Sequence, residues 1–180
     1  MRYKRKPNFK NRPPHQALDA GYYFITSRTV SGQWYLRPKK YKTILLEVIK
    51  EKTKKFNCPL IAYAILNNHY HLILDIRDNI LPKLMREING ASSRFINDAD
   101  AVHKRKIWWN YFDKYLRDEK DFFMHLNYIH QNPVKHGLSD DLDCQFSSYK
   151  SWVAKKGQDY VDDCFSKYPV ADFLAYKDDF

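Results

Sequence analysis

The apolar positions of this chain change period several times, and each change marks an element. "GYYFITSRTV" (21–30) is rich in aromatic and β-branched residues and predicts a first strand. After Pro38, which suits a helix start, Ile44, Leu45, Val48, Ile49 and Phe56 fall near helical spacing with lysines between them. "PLIAYAIL" (59–66) predicts a second strand, "NNH" (67–69) a turn and "YHLILDI" (70–76) a third strand, so the three form a hairpin. "LPKLMREINGASSRFIND" (81–98) predicts a second helix with Leu81, Leu84, Met85, Ile88 and Phe95 inward. "KIWWNYFDKYLRD" (106–118) is aromatic and holds a fourth strand. "EKDFFMHLNYIHQ" (119–131) is a third long helix that Pro133 should end, and "VKHGL" (134–138) adds a turn stopped at Gly137. "FSSYKSWVAKKG" (146–157) is mixed and predicts no single element.

The order strand, helix, strand, strand, helix, strand, helix is β-α-β-β-α-β with one helix added at its C-terminal end. It predicts an α+β, ferredoxin-like antiparallel sheet, which by itself names no function.

Alternation along the third strand sorts its residues. Tyr70, Leu72, Leu74 and Ile76 form one apolar row, which should pack on the two crossover helices. His69, His71, Ile73 and Asp75 take the other face, where a ferredoxin-like sheet is free. Two histidines at i and i+2 lie about 7 Å apart on one side of a strand. They can converge on one ion, or be two polar residues at a strand start. The third helix could cover that face. Its stripe is Phe122, Leu126 and Ile129, with Phe123 at the flank. On a helical projection Tyr128 falls nearly opposite that stripe, with His125 and Asn132, so the stripe's core does not explain it. Tyr128 is either an exposed tyrosine or a chemical one. Asn132, four residues on, can share its face.

The composition agrees with one domain large enough for a core at 180 residues. No apolar run approaches the ~20 residues of a membrane span. Cys58, Cys144 and Cys164 make no metal or disulfide pattern and fit reduced thiols in a cytosolic protein. The formal charge of +10 favours a polyanionic partner, nucleic acid before membrane. Residues 1–19, opening "MRYKRKPNFKNRPP", form a basic arm preceding the fold.

Two imidazoles and an amide oxygen make a mixed N/O site suited to Mg²⁺ or Mn²⁺ acting with phosphate oxygens. A tyrosine beside such an ion can attack a phosphodiester. "HYH" (69–71) resembles the histidine–hydrophobic–histidine motif of single-tyrosine HUH transposases and nucleases. "NYIHQNPVKHGL" (127–138) followed by "FSSYKSW" is similar to the nucleophile-bearing segment of the REP-associated tyrosine transposases, and the likeness covers residues 20–152. The resemblance implies a catalytic C-terminal helix with Tyr128 as nucleophile and His69, His71 and Asn132 as metal ligands. It implies cleavage and rejoining of single-stranded DNA beside a hairpin through a 5′-phosphotyrosine. No nucleotide cofactor is needed, since the ester keeps the bond energy. The implied protein is a monomer or homodimer in the bacterial cytoplasm, nucleoid-associated and without membrane contact, and residues 153–180 are an extension beyond the domain. Leu66-Asn67-Asn68 replaces the family's usual Met-Pro-Asn, and His136 stands where many relatives have a small residue.

Candidate DNA contacts are Arg28, Lys39, Lys40, Arg86, Arg94 and Lys135. Trp108, Trp109 and Tyr111 could stack on bases, with core packing the alternative for at least one tryptophan. Two other functions compete: a non-cleaving hairpin-binding protein derived from a transposase, and a metal-dependent nuclease using water. Tyr111 or Tyr115 could replace Tyr128 as nucleophile.

Overall fold

The computed structural model describes residues 20–170; the N-terminal arm and the last ten residues lie outside them. The chain runs through β1 (Gly21–Thr29), a 3-10 turn (Val30–Gly32), α1 (Lys39–Lys55), β2 (Leu60–Ile65), β3 (His69–Ile76), α2 (Leu81–Ala99) and β4 (Trp108–Tyr115). It continues through α3 (Glu119–Lys135), α4 (Tyr149–Lys156) and α5 (Gln158–Lys167). The four strands form one antiparallel sheet in the order β2-β3-β1-β4. This is the ferredoxin-like arrangement that the element order predicts. Among the described residues no helix is long and apolar enough to cross a membrane.

The sheet separates two cores. On one side Tyr23, Ile25, Tyr70, Leu72, Leu74 and Ile76 meet Leu45, Val48 and Ile49 of α1 and Leu84, Met85 and Ile88 of α2. On the other, Phe24, Ala62, Ala64 and Ile73 meet Leu126, Tyr128 and Ile129 of α3. The β3 alternation is as expected, and α3 covers the histidine face. The alanines of β2 leave room for a helix to lie close to the strand.

Four local expectations change. His69 belongs to β3, not the turn: the Leu66 N–H donates to the His69 carbonyl (2.9 Å), so Asn67 and Asn68 alone make the reversal. Phe95 is 39% exposed, and Ile96 is buried in its place. The buried row of α2 steps through Leu84, Ile88, Ser92 and Ile96 at intervals of four, which leaves Phe95 off its edge beneath the Arg94 guanidinium (4.8 Å).

Pro133 lies inside α3 and does not end it. Proline lacks one N–H and crowds the carbonyl four residues back, a cost that the helix bears as it continues to Lys135. His136 N–H bonds to Asn132 O (3.0 Å), Gly137 N–H to Val134 O (2.9 Å) and Leu138 N–H to Pro133 O (2.8 Å). With Gly137 at φ +63°, this is a Schellman cap. At the other end Asp118 Oδ1 accepts from the Asp121 N–H (2.8 Å).

Tyr128 is also not opposite the core. It shares the second core with Leu126 and Ile129, because α3 is buried nearly all round. Its outer side meets α5, where Asn127 gives both amide hydrogens to the carbonyls of Cys164 (2.8 Å) and Tyr168 (2.9 Å). A projection that assumes one buried stripe therefore misplaces Tyr128, which packs with His125 against Phe24 of the sheet and shares its core with Leu126 and Ile129. α5 itself follows no expectation from the sequence.

Gly137→Ala tests the cap. No atom would meet the new Cβ within 4 Å, so the cost is conformational alone. Urea unfolding should show a loss of about 1–2 kcal/mol, with the slope unchanged.

Candidate active site

Strand register builds half of the site. Thr26 of β1 and Ala64 of β2 flank His71, and Arg28 stands opposite His69. His71 Nδ1 lies 2.8 Å from Thr26 Oγ1. His69 Nδ1 lies 2.7 Å from Asn68 Oδ1, and Asn68 Nδ2 donates to Gly32 O (3.3 Å). That second bond orients the amide, so its oxygen accepts from His69 Nδ1–H. Nε2 of His69 then keeps its lone pair. Partners at Nδ1 are what set the tautomer of a metal-binding histidine. The two rings are 4.8 Å apart at 78°.

Helix α3 supplies the other half. It runs antiparallel to β3, so Tyr128 meets His71 (rings 5.2 Å apart) and His136 meets His69 (5.2 Å). Phe24 sits between: it stacks on His71 (5.4 Å, 18°) and presents an edge to Tyr128 (5.9 Å). The Lys135 ammonium is 5.3 Å from the Tyr128 ring centre. Asn132 is fully buried, yet neither of its amide atoms has a hydrogen-bond partner among the described residues. Burying such a group unpaired costs about 1–3 kcal/mol. A fold keeps that cost where the group has another task.

Among the described residues no three His, Cys, Asp or Glu side chains are grouped to hold an ion. The donor set here is two imidazoles and an amide, and it fits a hard or borderline divalent ion that also takes oxygen from a phosphate. His69 and His71, each with a partner at Nδ1, could hold such an ion through Nε2, with Asn132 as a candidate oxygen donor.

A family described as "Transposase IS200 like" matches residues 22–132, more than half of the chain. The chain belongs to the IS200-like transposase family. Its relatives include the REP-associated tyrosine transposase of Escherichia coli, 28% identical over 142 residues, covering 77% of this chain and 82% of that one. A Haemophilus influenzae protein provisionally given the same name is 27% identical over 143 residues, covering 71% and 80%. A solved REP-associated tyrosine transposase bound to a REP hairpin superimposes with a TM-score of 0.68. It is 24% identical and covers 80% of this chain and 86% of that one, and it supports the fold.

Within this IS200-like fold the candidate DNA contacts separate. Arg28 and Lys135 lie beside the site. Lys39 and Lys40 open α1, and Arg86 and Arg94 are exposed on α2, in the layer across the sheet. Tyr111 and Tyr115 pack against that same far layer, away from the histidines. Burial and the nearby Asp113 carboxylate push the Tyr111 hydroxyl up to about 12. Trp108 is a core residue. Sequence reasoning did not single out Thr26, Asn68 or Phe24. Phe24, Thr26 and Arg28 alternate along β1, but only the pairing with β3 shows that they share the histidine face.

His125, one turn before Tyr128, is different. Burial holds its ring down at about 4, although the Asp121 carbonyl (2.6 Å from Nδ1) and carboxylate pull it upward; the Lys114 ammonium adds to the lowering. The unfolded chain therefore takes up this proton first as pH falls. The stability is fully present above ~6.5 and is lost toward ~4, with a slope of up to ~1.4 kcal/mol per pH unit. In His125→Gln, stability measured across that window should fall less steeply, by about one proton.

Proposed function

We propose that this chain cuts and rejoins single-stranded DNA beside a hairpin, with Tyr128 as the nucleophile. The observation that carries the reading is Asn132: a buried amide with no hydrogen-bond partner among the described residues, one turn of α3 from Tyr128, which meets His71, and one turn from His136, which meets His69. The solved relative named as bound to a REP hairpin supports hairpin DNA as the substrate class. The formal charge of +10 suits a phosphate backbone.

His69 and His71, through Nε2, and Asn132, through Oδ1, would hold Mg²⁺ or Mn²⁺. Such an ion supplies Lewis-acid polarisation of the scissile phosphate. Tyr128 Oη forms the new bond to phosphorus as the bond from phosphorus to the 3′ oxygen breaks. The phenol proton is in effect passed to the departing 3′ oxygen, which leaves as a hydroxyl. The downstream strand is then joined through its 5′ phosphate to the tyrosine. A 3′ hydroxyl can reverse the step and reseal a strand, so no nucleotide cofactor enters the balance. Phe24 fixes the Tyr128 and His71 rings relative to one another. Lys135 places a positive charge over the tyrosine ring, where a phosphate oxygen can be met.

Two experiments test this. Tyr128→Phe keeps the ring and its contacts with Phe24 and His71. It should bind a hairpin substrate as wild type does and yield no denaturant-resistant protein–DNA adduct. An adduct in the variant would assign the nucleophile elsewhere; cleavage at the wild-type rate without one would assign water. A wild-type protein that binds the hairpin and never cuts would be the non-cleaving binder.

His69→Ala, His71→Ala and Asn132→Ala should each lose cleavage while hairpin affinity stays within a few fold. EDTA should stop the wild type, and Mg²⁺ or Mn²⁺ should restore it. Full activity in any of the three variants removes that residue from the site.

A further inference from the structure

The four tryptophans divide into two kinds. Trp108 is buried and donates its indole N–H to Ser92 Oγ (2.9 Å), and Trp152 donates to the Ile61 carbonyl (2.9 Å). Trp34 and Trp109 are instead 59% and 47% exposed, more than any other large apolar side chain among the described residues. Each has a cation over its ring: the Arg37 guanidinium 5.8 Å from the centre of Trp34, and the Lys106 ammonium 4.9 Å from that of Trp109.

The two indoles belong to adjoining segments. Trp34 follows the 3-10 turn. Trp109 sits on edge strand β4 where its register with β1 shifts between Arg28 and Thr29. The Val30 N–H donates to Ile107 O (2.8 Å) and joins the segments. The loop carrying Trp34 is also tied to the turn before His69, by Leu36 N–H to Asn67 O (2.9 Å) and Thr29 N–H to Asn68 O (2.9 Å). Arg28, in register with His69 on one side and Asn110 on the other, connects the two places. A single exposed tryptophan needs no explanation. Two of them, each with its own cation, lie on hydrogen-bonded neighbouring segments at the end of the sheet where His69 lies.

We infer that Trp34 and Trp109 form a stacking ledge for unpaired DNA bases next to the Tyr128 site, with Arg37 and Lys106 meeting the adjacent phosphates. Bases of any sequence offer a flat face to an indole, and a cation beside each ring suits the phosphate that follows. The ledge would hold single-stranded DNA flanking a hairpin, and in that sense it rests on the proposed function.

The test uses the full chain and an oligo(dT) of about 12 nucleotides, within the span one such groove takes. Tryptophan fluorescence of the wild type should be quenched on binding. Trp34→Ala/Trp109→Ala should lose most of that quenching and bind roughly tenfold or more weakly. Trp34→Phe/Trp109→Phe should regain most of the affinity, because a flat ring is restored. A blunt hairpin without single-stranded flanks should bind all three proteins alike. Unchanged oligo(dT) affinity in the alanine variant, or no rescue by phenylalanine, overturns the ledge. Tighter binding of an oligo(U) of equal length overturns its assignment to DNA. Adduct formation by the wild type is scored separately. An adduct with no effect of the tryptophan changes removes the ledge alone. Indole-dependent oligo(dT) binding with no adduct leaves the ledge and removes strand transfer.

Discussion

The alternation of side chains along β3 is the constraint on which the rest of the molecule depends. One eight-residue strand sends Tyr70, Leu72, Leu74 and Ile76 into one core and His69, His71 and Ile73 toward the other. A slip of one residue would exchange the sets, placing imidazoles among the leucines of α1 and α2. Register is held on both sides of the strand. β1 and β2 pair with it along its length, and the Asn67–Asn68 turn is bonded to the loop after β1. The same bonds that protect the hydrophobic core thus aim the histidines, and Thr26 and Asn68 take hold of their Nδ1 atoms as a consequence.

The α3 half of the candidate site lies on a helix that is buried on nearly every side. Sheet contacts alone would leave α3 an amphipathic surface helix with a solvated outer face. Asn127 prevents this by satisfying two carbonyls near α5, and His130 does so toward α4, with its Nε2 3.2 Å from Ser148 Oγ. Burial keeps the His130 ring far below its usual range, down at about 3. A helix clamped between two layers has little freedom to roll, so the Tyr128 ring is held against that of His71. Against that background the amide of Asn132, with no hydrogen-bond partner among the described residues, stands apart from His125, Asn127 and His130 of the same helix, each of which has one.

Histidine is used in two ways within one helix and one strand. His69 and His71 are braced at one ring nitrogen and turned toward α3, a geometry suited to an ion. His125 and His130 are buried, neutral and bonded to a backbone carbonyl and a serine, a geometry suited to packing. The residue type is the same, and only the environment separates a candidate ligand from a core residue.

The order of elements, the sheet they make and the two rows of β3 were legible along the chain, because period and turn chemistry are local and survive without knowledge of what packs where. The sequence also carried the family likeness through "HYH" and the segment around Tyr128. Whatever depended on contacts between distant segments was decided only in three dimensions. Pro133 reads as a stop, yet a Schellman cap at Gly137 and the burial of Asn132 hold one further turn. Phe95 reads as core, yet it lies just off the buried row. Tyr128 reads as lying away from the apolar stripe, yet α5 covers what would have been the outer side and the sheet takes the tyrosine. Thr26, Asn68 and Phe24 have no signature of their own. They gain a role only because antiparallel pairing places β1 beside β3, and no periodicity within one strand can specify its neighbour.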